Sequence, residues 1–146
     1  MNIKDLKKYL ENFDLKEEVI NEFLEEKNLI EVNSNFFLVR NDFEKNQVFS
    51  ENLVFIGLKK LLPSKYLLEF IRKNSKDLNV KNQKRASDFT YGESIKQESF
   101  SNANNLKQNK YYIICFDDKI IGVGNFFNKQ LHNIFNIGEY LEEKKE

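Results

Sequence analysis

The sequence predicts an α+β protein: an N-terminal α/β domain of helices over an antiparallel sheet, residues 1–77, followed by a small β-barrel, residues 78–146. Apolar residues recur at helical spacing early in the chain, whereas from about Leu78 the apolar runs shorten and become strand-like. Turn-forming residues separate these later runs at short intervals, which is typical of small barrels. With 146 residues, 40% of them apolar and 14 of them Phe, the chain has material for a packed core.

Two amphipathic helices are predicted at the start of the chain. The first has its apolar residues three or four positions apart, at Leu6, Tyr9, Leu10 and Phe13. Asp14 followed by Glu17 has the spacing of a capping box, so the second helix is expected to begin there. Its apolar face is predicted to consist of Leu15, Val19, Ile20, Phe23 and Leu24.

A hairpin, a strand and a third helix are predicted to complete the first domain. Asn33-Ser34-Asn35 favours a tight turn between apolar segments at 29–32 and 36–40. The apolar run 53–56, which ends at Gly57, is consistent with a buried strand. Ser64 can cap the helix that follows, whose buried stripe is predicted to be Tyr66, Leu67, Phe70 and Ile71.

The second domain is predicted to consist of short strands and one short helix. Residues 111–116 and 120–123 are rich in strand-forming types and are joined by a natural hairpin turn at residues 117–119. Gly122 and Gly124 fall within a strand, where glycine marks a bulge or a close backbone approach. The helix is expected near residues 91–100, and a last strand at 134–137 with the segment around Tyr140 finishes the domain.

Charge is balanced overall but unevenly distributed. The chain has 23 basic and 23 acidic residues, whereas residues 58–87 hold nine basic and two acidic side chains, a balance of +7. Residues 1–33 hold five basic and nine acidic side chains, a balance of −4. A positive segment suits a phosphate backbone, but a lysine-rich surface without a nucleic-acid partner is an equally open interpretation.

The residue types that catalysis or metal binding requires are sparse. One cysteine, Cys115, and one histidine, His132, cannot form a structural zinc centre. There is no phosphate-cradling G-x-x-x-x-G-K-[ST] loop, and Gly122-Val123-Gly124 lacks the third glycine of a dinucleotide fingerprint. We therefore expect no enzyme activity, no metal and no cofactor. A single cysteine and no apolar run of membrane-spanning length lead us to expect a cytoplasmic protein.

Four segments carry a resemblance to a known family. Residues 89–95, FTYGESI, resemble the F-x-Y-G-N-x-V segment that opens the PUA domain of the "Nip-seven" family of large-subunit ribosome-biogenesis factors of eukaryotes and archaea. Residues 61–69, LLPSKYLLE, are similar to that family's P-S-x-x-L-L-E helix start. Residues 120–124, IIGVG, are similar to its strand ending in G-x-G, and residues 137–141, IGEYL, to its closing I-G-E-Y-[VL].

The resemblance, which covers roughly the last two thirds of the chain, implies a PUA barrel and RNA binding without enzymatic activity. It also implies action in pre-ribosomal RNA processing, contacts with other ribosome-assembly proteins through the N-terminal domain, and a nucleolar location in a eukaryote. One departure is the segment 125–136, which is shorter than in the family, where it carries several basic residues. Only Lys129 and His132 can replace them here.

Lysine and arginine side chains are the candidates for phosphate contact. We select Lys84, Arg85, Lys96 and Lys129 as RNA-binding residues. Lys81 belongs to the same local basic cluster as Lys84 and Arg85, and Lys96 is expected on the predicted helix. Tyr91 and Tyr112 can each stack on a base, although alternation also fits a core position for either one; we select Tyr91 as the candidate for base stacking.

The sequence thus favours a non-catalytic RNA-binding protein of ribosome assembly, bound to rRNA or its precursor and to assembly proteins, with no membrane association. An alternative is a protein–protein adaptor with a degenerate PUA scaffold, whose acidic helices in residues 1–33 dock on a basic partner. A third possibility is the accessory domain of an RNA-modifying enzyme.

Overall fold

The computed structural model describes residues 2–41, 54–58 and 62–138, and for 54–58 it describes the backbone. Within these ranges the chain is a mixed α/β protein with four α-helices and eight strands. Its contacts divide it into two compact units. The first contains Met1–Glu11 and Leu15–Asn74, and the second contains Asn12–Asp14 and Ser75–Glu146. The division falls after residue 74, whereas the sequence-based boundary lies after residue 77.

The first unit combines three helices with a three-stranded antiparallel sheet of order β1-β2-β3. Helix α1 packs against α2 and β1, and α3 packs against β3. The elements are α1 (Ile3–Glu11), α2 (Glu17–Leu24), β1 (Lys27–Val32), β2 (Asn35–Arg40), β3 (Val54–Leu58) and α3 (Lys65–Asn74). The predicted arrangement of helices and an antiparallel sheet is therefore confirmed. Leu53, where the third strand was expected to begin, lies outside the described residues.

The hairpin between β1 and β2 follows from its turn residues. Asn33 and Ser34 both have positive φ angles, 51° and 66°. A two-residue loop with this geometry matches the twist of the flanking strands, and asparagine tolerates it better than most residues. The predicted turn is confirmed.

Helix α3 begins at a cap that the sequence indicates. The Leu67 backbone N–H donates to the Ser64 hydroxyl oxygen at 3.1 Å, so the predicted cap is confirmed. The predicted stripe is wrong at Tyr66, whose side chain is 53% exposed. Leu67, Leu68 and Ile71 are the buried residues of this helix, which moves the buried face one position along the chain.

The predicted capping box at the start of α2 is absent. The residue at the N-cap position is Lys16, and no side chain there accepts a backbone hydrogen bond. The Asp14 carboxylate binds the Lys107 ammonium group instead, at 2.9 Å. A charged partner distant in sequence has replaced the local bond that the spacing predicted.

The second unit is built on a curled five-stranded sheet of order β4-β6-β7-β8-β5. Strand β4 pairs with β6 in parallel, and the other neighbouring pairs are antiparallel. The elements are β4 (Asp77–Asn79), α4 (Gln83–Thr90), β5 (Ile95–Lys96), a 3-10 turn (Gln97–Ser99), β6 (Tyr111–Phe116), β7 (Lys119–Phe127) and β8 (Gln130–Asn136). The predicted segment around Tyr140 lies outside the described residues.

The helix of this unit lies earlier than the sequence pattern predicts. It starts after Asn82, whose side-chain oxygen accepts from the Arg85 N–H at 2.9 Å, and it ends at Thr90. Gly92, with φ of 101°, follows the helix in a conformation that favours glycine. The expected helix over residues 91–100 is therefore wrong, since this stretch is a turn, strand β5 and the 3-10 turn. Lys96 accordingly lies on a strand and not on a helix.

Close packing of α4 on the sheet depends on Gly122. A Cβ atom there would lie 2.6 Å from Cε1 of Phe89 and would also meet the Phe135 carbonyl oxygen. The ladder between β7 and β8 shifts register between Val123 and Gly124. Both interpretations of these glycines, a close approach and a bulge, are confirmed. The close approach lets Phe89, which is fully buried, reach the centre of the core.

The segment Asn12–Asp14 belongs to the second unit although it lies between α1 and α2. The Tyr111 backbone N–H donates to the Asn12 carbonyl oxygen at 2.7 Å, and Phe13 forms a parallel bridge with Tyr111. The Phe13 and Tyr111 rings meet edge to face, with centroids 5.6 Å apart. The second unit is consequently discontinuous in sequence.

Candidate nucleic-acid interface

Three lysines converge on one open cleft of the second unit. The cleft has a volume of about 630 Å³, and Lys81, Lys96 and Lys129 line it. The remaining lining residues are Gln97, Glu98, Phe100, Ser101, Ala103, Asn104, Asn128 and Gln130. One carboxylate against three ammonium groups leaves a net charge of +2 on the lining.

Lys129 is presented by the two-residue turn between β7 and β8. Asn128 and Lys129 have φ angles of 51° and 61°, the geometry of a tight hairpin turn with both central residues left-handed. The Gln97 N–H donates to the Lys129 carbonyl oxygen at 2.9 Å, which fixes the turn to the segment after β5. The position of this lysine is therefore set by backbone contacts, while its side chain is exposed.

Lys96 and Lys81 reach the same cleft from two other segments. Lys96 pairs with Gln130 across β5 and β8, and Ile95 beside it is buried, so Lys96 lies on the outer face of the sheet. Lys81 follows the bridge between Val80 and Phe100, and its N–H donates to the Ser99 carbonyl oxygen at 2.9 Å. Three separate chain segments thus bring the lysines together.

The three ammonium groups are available to a ligand. All three side chains are exposed, and within the described ranges none of them forms an ion pair or a side-chain hydrogen bond. The lining also carries four amide side chains, which can donate as well as accept hydrogen bonds. One of them, Gln97, donates to the Ala103 carbonyl oxygen at 2.6 Å and so has a fixed orientation. Phe100 and Ala103 are buried and form the apolar base of the cleft.

The other predicted RNA-binding residues lie elsewhere on the second unit. Lys84 and Arg85 are exposed on α4 and do not line the cleft. The Arg85 guanidinium lies 3.5 Å from the Asp88 carboxylate, a long contact between exposed groups. Tyr91 is 86% exposed at the end of α4, so it is not a core residue, and it does not line the cleft either. The structure therefore brings Lys96 and Lys129 together and separates them from Lys84, Arg85 and Tyr91.

Lys81 lines the cleft, whereas its neighbours in the predicted basic cluster, Lys84 and Arg85, do not. The sequence groups it with Lys84 and Arg85, three and four positions away, because clusters are read along the chain. Asn82 was the available signal, since a residue that caps a helix separates Lys81 from the helical face that follows.

A second polar cluster, formed by Asp14, Lys107 and Tyr112, lies in the second unit but does not line the cleft. Tyr112 is buried, and its phenol oxygen accepts from the Lys107 backbone N–H at 2.8 Å. Burial raises the pKa of the Tyr112 phenol above its ordinary value. The hydrogen bond with the Asp14 carboxylate raises the pKa of the Lys107 ammonium group. Lys107 is thus engaged with Asp14, in contrast to the three cleft lysines.

Other chemistry has little support in the part of the chain that the structure describes. No group of three or more His, Cys, Asp or Glu side chains there could hold a metal ion. Cys115 is buried, with its sulfur 3.6 Å from the Asp77 carboxylate. None of the helices in the described ranges is both long and apolar enough to span a bilayer.

Comparison with known proteins gives no family for the chain. No protein-family model matches it, and no curated protein matches it by sequence. The resemblance of its four segments to ribosome-biogenesis factors stays an expectation.

Proposed function

We propose that the chain is a non-catalytic RNA-binding protein that acts in large-subunit ribosome assembly. In this proposal the second unit is a PUA-like barrel, and the cleft lined by Lys81, Lys96 and Lys129 binds the RNA backbone. The observation that carries the proposal is the convergence of three unpaired lysines from three chain segments on one open cleft. Phosphate contacts from such side chains provide affinity and fix the register of an RNA.

The curled sheet supports the PUA-like part of the proposal. Five strands with one helix, α4, inserted between β4 and β5 form a half-barrel, which is the type of architecture that the family resemblance implies. The motif FTYGESI ends at Ile95, and Lys96 directly follows it. The resemblance and the lysine cleft therefore meet in the same part of the chain.

Electrostatics predict the strength and the salt dependence of this binding. Each phosphate that a lysine neutralises on a single strand lowers the slope of log affinity against log salt by about 0.7. Three lysines give a slope of about −2, which corresponds to a moderate affinity that falls visibly between low and physiological salt. Salt-independent binding would contradict the proposal.

The experiment compares two double variants that lose the same charge. Fluorescence anisotropy measures the binding of short uridine-rich and adenine-rich RNAs at low and moderate salt. One variant is Lys96→Ala with Lys129→Ala, in the cleft, and the matched control is Lys84→Ala with Arg85→Ala, on α4. We expect the cleft variant to lose most of the affinity and its salt slope to be less steep by about 1.4, which is two contacts of about 0.7 each. We expect the control to change little.

The outcomes distinguish the lysine cleft from the α4 face as the surface that binds RNA. Equal losses in both variants would mean that binding follows total charge and not the cleft. A loss of RNA affinity confined to the Lys84/Arg85 variant would mean that the RNA binds on the exposed face of α4. Absence of RNA binding by the unsubstituted chain would refute the proposed function.

The second candidate function, a protein–protein adaptor, is favoured by the charge of α2. Five carboxylates on this helix and directly after it are exposed: Glu17, Glu18, Glu22, Glu25 and Glu26. Such a face suits a basic partner, for example an assembly protein with lysine-rich segments. Replacing Glu18, Glu22 and Glu25 by Gln should abolish capture of such a partner and leave RNA affinity unchanged. Capture that survives this change would refute the adaptor.

A further inference from the structure

The outer face of the sheet has a regular cross-strand row next to the lysine cleft. Phe127 pairs with Gln130 across β7 and β8, and Gln130 pairs with Lys96 across β8 and β5. Directly opposed residues point to the same side of a sheet, so these three side chains form a row. The neighbouring row, Phe126, Leu131 and Ile95, is buried on the opposite side. Two strand spacings of about 4.8 Å put Phe127 and Lys96 about 10 Å apart across the sheet.

Phe127 is an aromatic side chain that the fold leaves open. It is 45% exposed, whereas Phe126 beside it is buried. The His132 ring lies diagonally next to it, with centroids 6.2 Å apart and planes inclined by 46°. His132 Nε2 lies 3.1 Å from the Phe127 carbonyl oxygen, and because a carbonyl only accepts, Nε2 must donate in this bond. The bond holds the histidine ring against the strand that carries Phe127.

We propose that Phe127, supported by His132, is a stacking position for an RNA base beside the lysine cleft, and that the combined surface therefore selects single-stranded over double-stranded RNA. This inference rests on the proposed function. Phe127 immediately precedes the Asn128-Lys129 turn, so a phosphate held at Lys129 brings the adjacent base to the phenylalanine ring. An aromatic face accepts any base, but only a base that is free of its duplex partner can lie on it.

The charge of the surroundings favours a nucleic acid over an apolar protein partner. The row that contains Phe127 ends at Lys96, and the turn beside it carries Lys129, so one exposed ring is flanked by two cations. An alternating pattern of cations and an aromatic ring is the arrangement that single-stranded nucleic-acid sites use. Tyr91, although more exposed, follows α4 and is not part of this cross-strand row.

The test measures the affinity of the full chain for one RNA in single-stranded and duplex form. The variants are Phe127→Ala, Phe127→Leu and Phe127→Tyr, with Tyr91→Ala as the matched exposed-aromatic control. We expect Phe127→Ala and Phe127→Leu to weaken single-strand binding about 5-fold to 150-fold, the range measured for loss of one stacked base. Phe127→Tyr should retain affinity because it keeps the ring, and Tyr91→Ala should change nothing. Duplex binding should be weak and insensitive to all four changes.

A fluorescent adenine analogue within the RNA supplies a second readout, since stacking on a ring quenches its emission. Quenching that Phe127→Tyr keeps and Phe127→Leu loses supports stacking, whereas equal affinities of the Leu, Tyr and unsubstituted chains refute it. If the Lys96/Lys129 variant loses binding while Phe127→Ala keeps it, the stacking position fails and the proposed function stands. If the unsubstituted chain binds no RNA, both fail. Thermal unfolding of each variant verifies that it is folded.

Discussion

Replacing Lys129 by glycine should change stability and RNA affinity in opposite directions. Lys129 has φ of 61°, a left-handed conformation that costs a residue with a Cβ atom about 1–2 kcal/mol. Glycine removes this cost. Its greater conformational freedom in the unfolded state, however, lowers the free energy of unfolding by about 0.4–1 kcal/mol. At the centres of these two ranges the difference is a stabilisation of about 0.8 kcal/mol, helped by the Asn-Gly sequence that two-residue hairpin turns prefer.

The two effects are measured separately. Thermal unfolding followed by circular dichroism should show a Tm increase of about 3–6 °C, since 1 kcal/mol corresponds to about 4–8 °C in a unit of this size. Anisotropy should show weaker RNA binding and a salt slope that is less steep by about 0.7.

A matched control exists in the first unit. Ser34 occupies the same turn position between β1 and β2, with φ of 66°, and lies in the other unit. Ser34→Gly should therefore stabilise the protein without any change in RNA affinity. A destabilised Lys129→Gly variant would refute the turn geometry, and a stabilised variant with full RNA affinity would refute the assignment of Lys129 to the binding cleft.

Three further predictions concern the stability of the two units. Gly122→Ala should cost about 3 kcal/mol or more because the new Cβ would meet Phe89 and backbone atoms. Gly92→Ala, with φ of 101° and no atom within 4 Å of the new Cβ, should cost only about 1 kcal/mol, and urea unfolding of the two variants measures the difference. Raising the pH above about 10 should lower the free energy of unfolding, because Tyr112 and Lys107 both have raised pKa values and the unfolded chain releases these protons first. Tyr112→Phe should flatten this alkaline decline in pH-dependent denaturation, and an unchanged decline would mean that other groups cause it. Ser64→Ala should cost about 1 kcal/mol in urea unfolding through loss of the α3 cap, whereas an unchanged midpoint would show that the cap bond is unimportant.

Local signals in the sequence predict the turns well. The pairs Asn33-Ser34 and Asp117-Asp118 both have two positive φ angles, and in each the type of residue indicates the turn. Ser64 identifies the start of α3 for the same reason, since its hydroxyl satisfies a backbone donor three residues ahead. These features depend on neighbours in the chain, which a sequence displays directly.

Features that depend on residues far apart in the chain cannot be predicted from local sequence patterns. Asp14 has a capping-box pattern but binds Lys107, 93 residues away. Helix α4 has only Ala86 and Phe89 buried, so its apolar periodicity is too weak to locate it. The cleft forms because β8 pairs with β5, which brings Lys96 next to the turn that carries Lys129. No local sequence pattern predicts that pairing. The sequence therefore predicts Lys96 and Lys129 as RNA-binding residues, but it does not indicate that they share a site.

The discontinuity of the second unit has a consequence for synthesis on the ribosome. Asn12 leaves the ribosome 99 residues (111 − 12) before Tyr111, with which it forms a hydrogen bond. At about 5–20 residues per second, the wait is about 5–20 s. During that time Phe13 has no Tyr111 ring to pack against. A chain that begins at Ser75 would lack Phe13 altogether and leave a gap at the start of β6. The first residues of the cleft-bearing unit, Asn12–Asp14, therefore leave the ribosome before most of the first unit. The unit can be completed only when Tyr111 has also emerged.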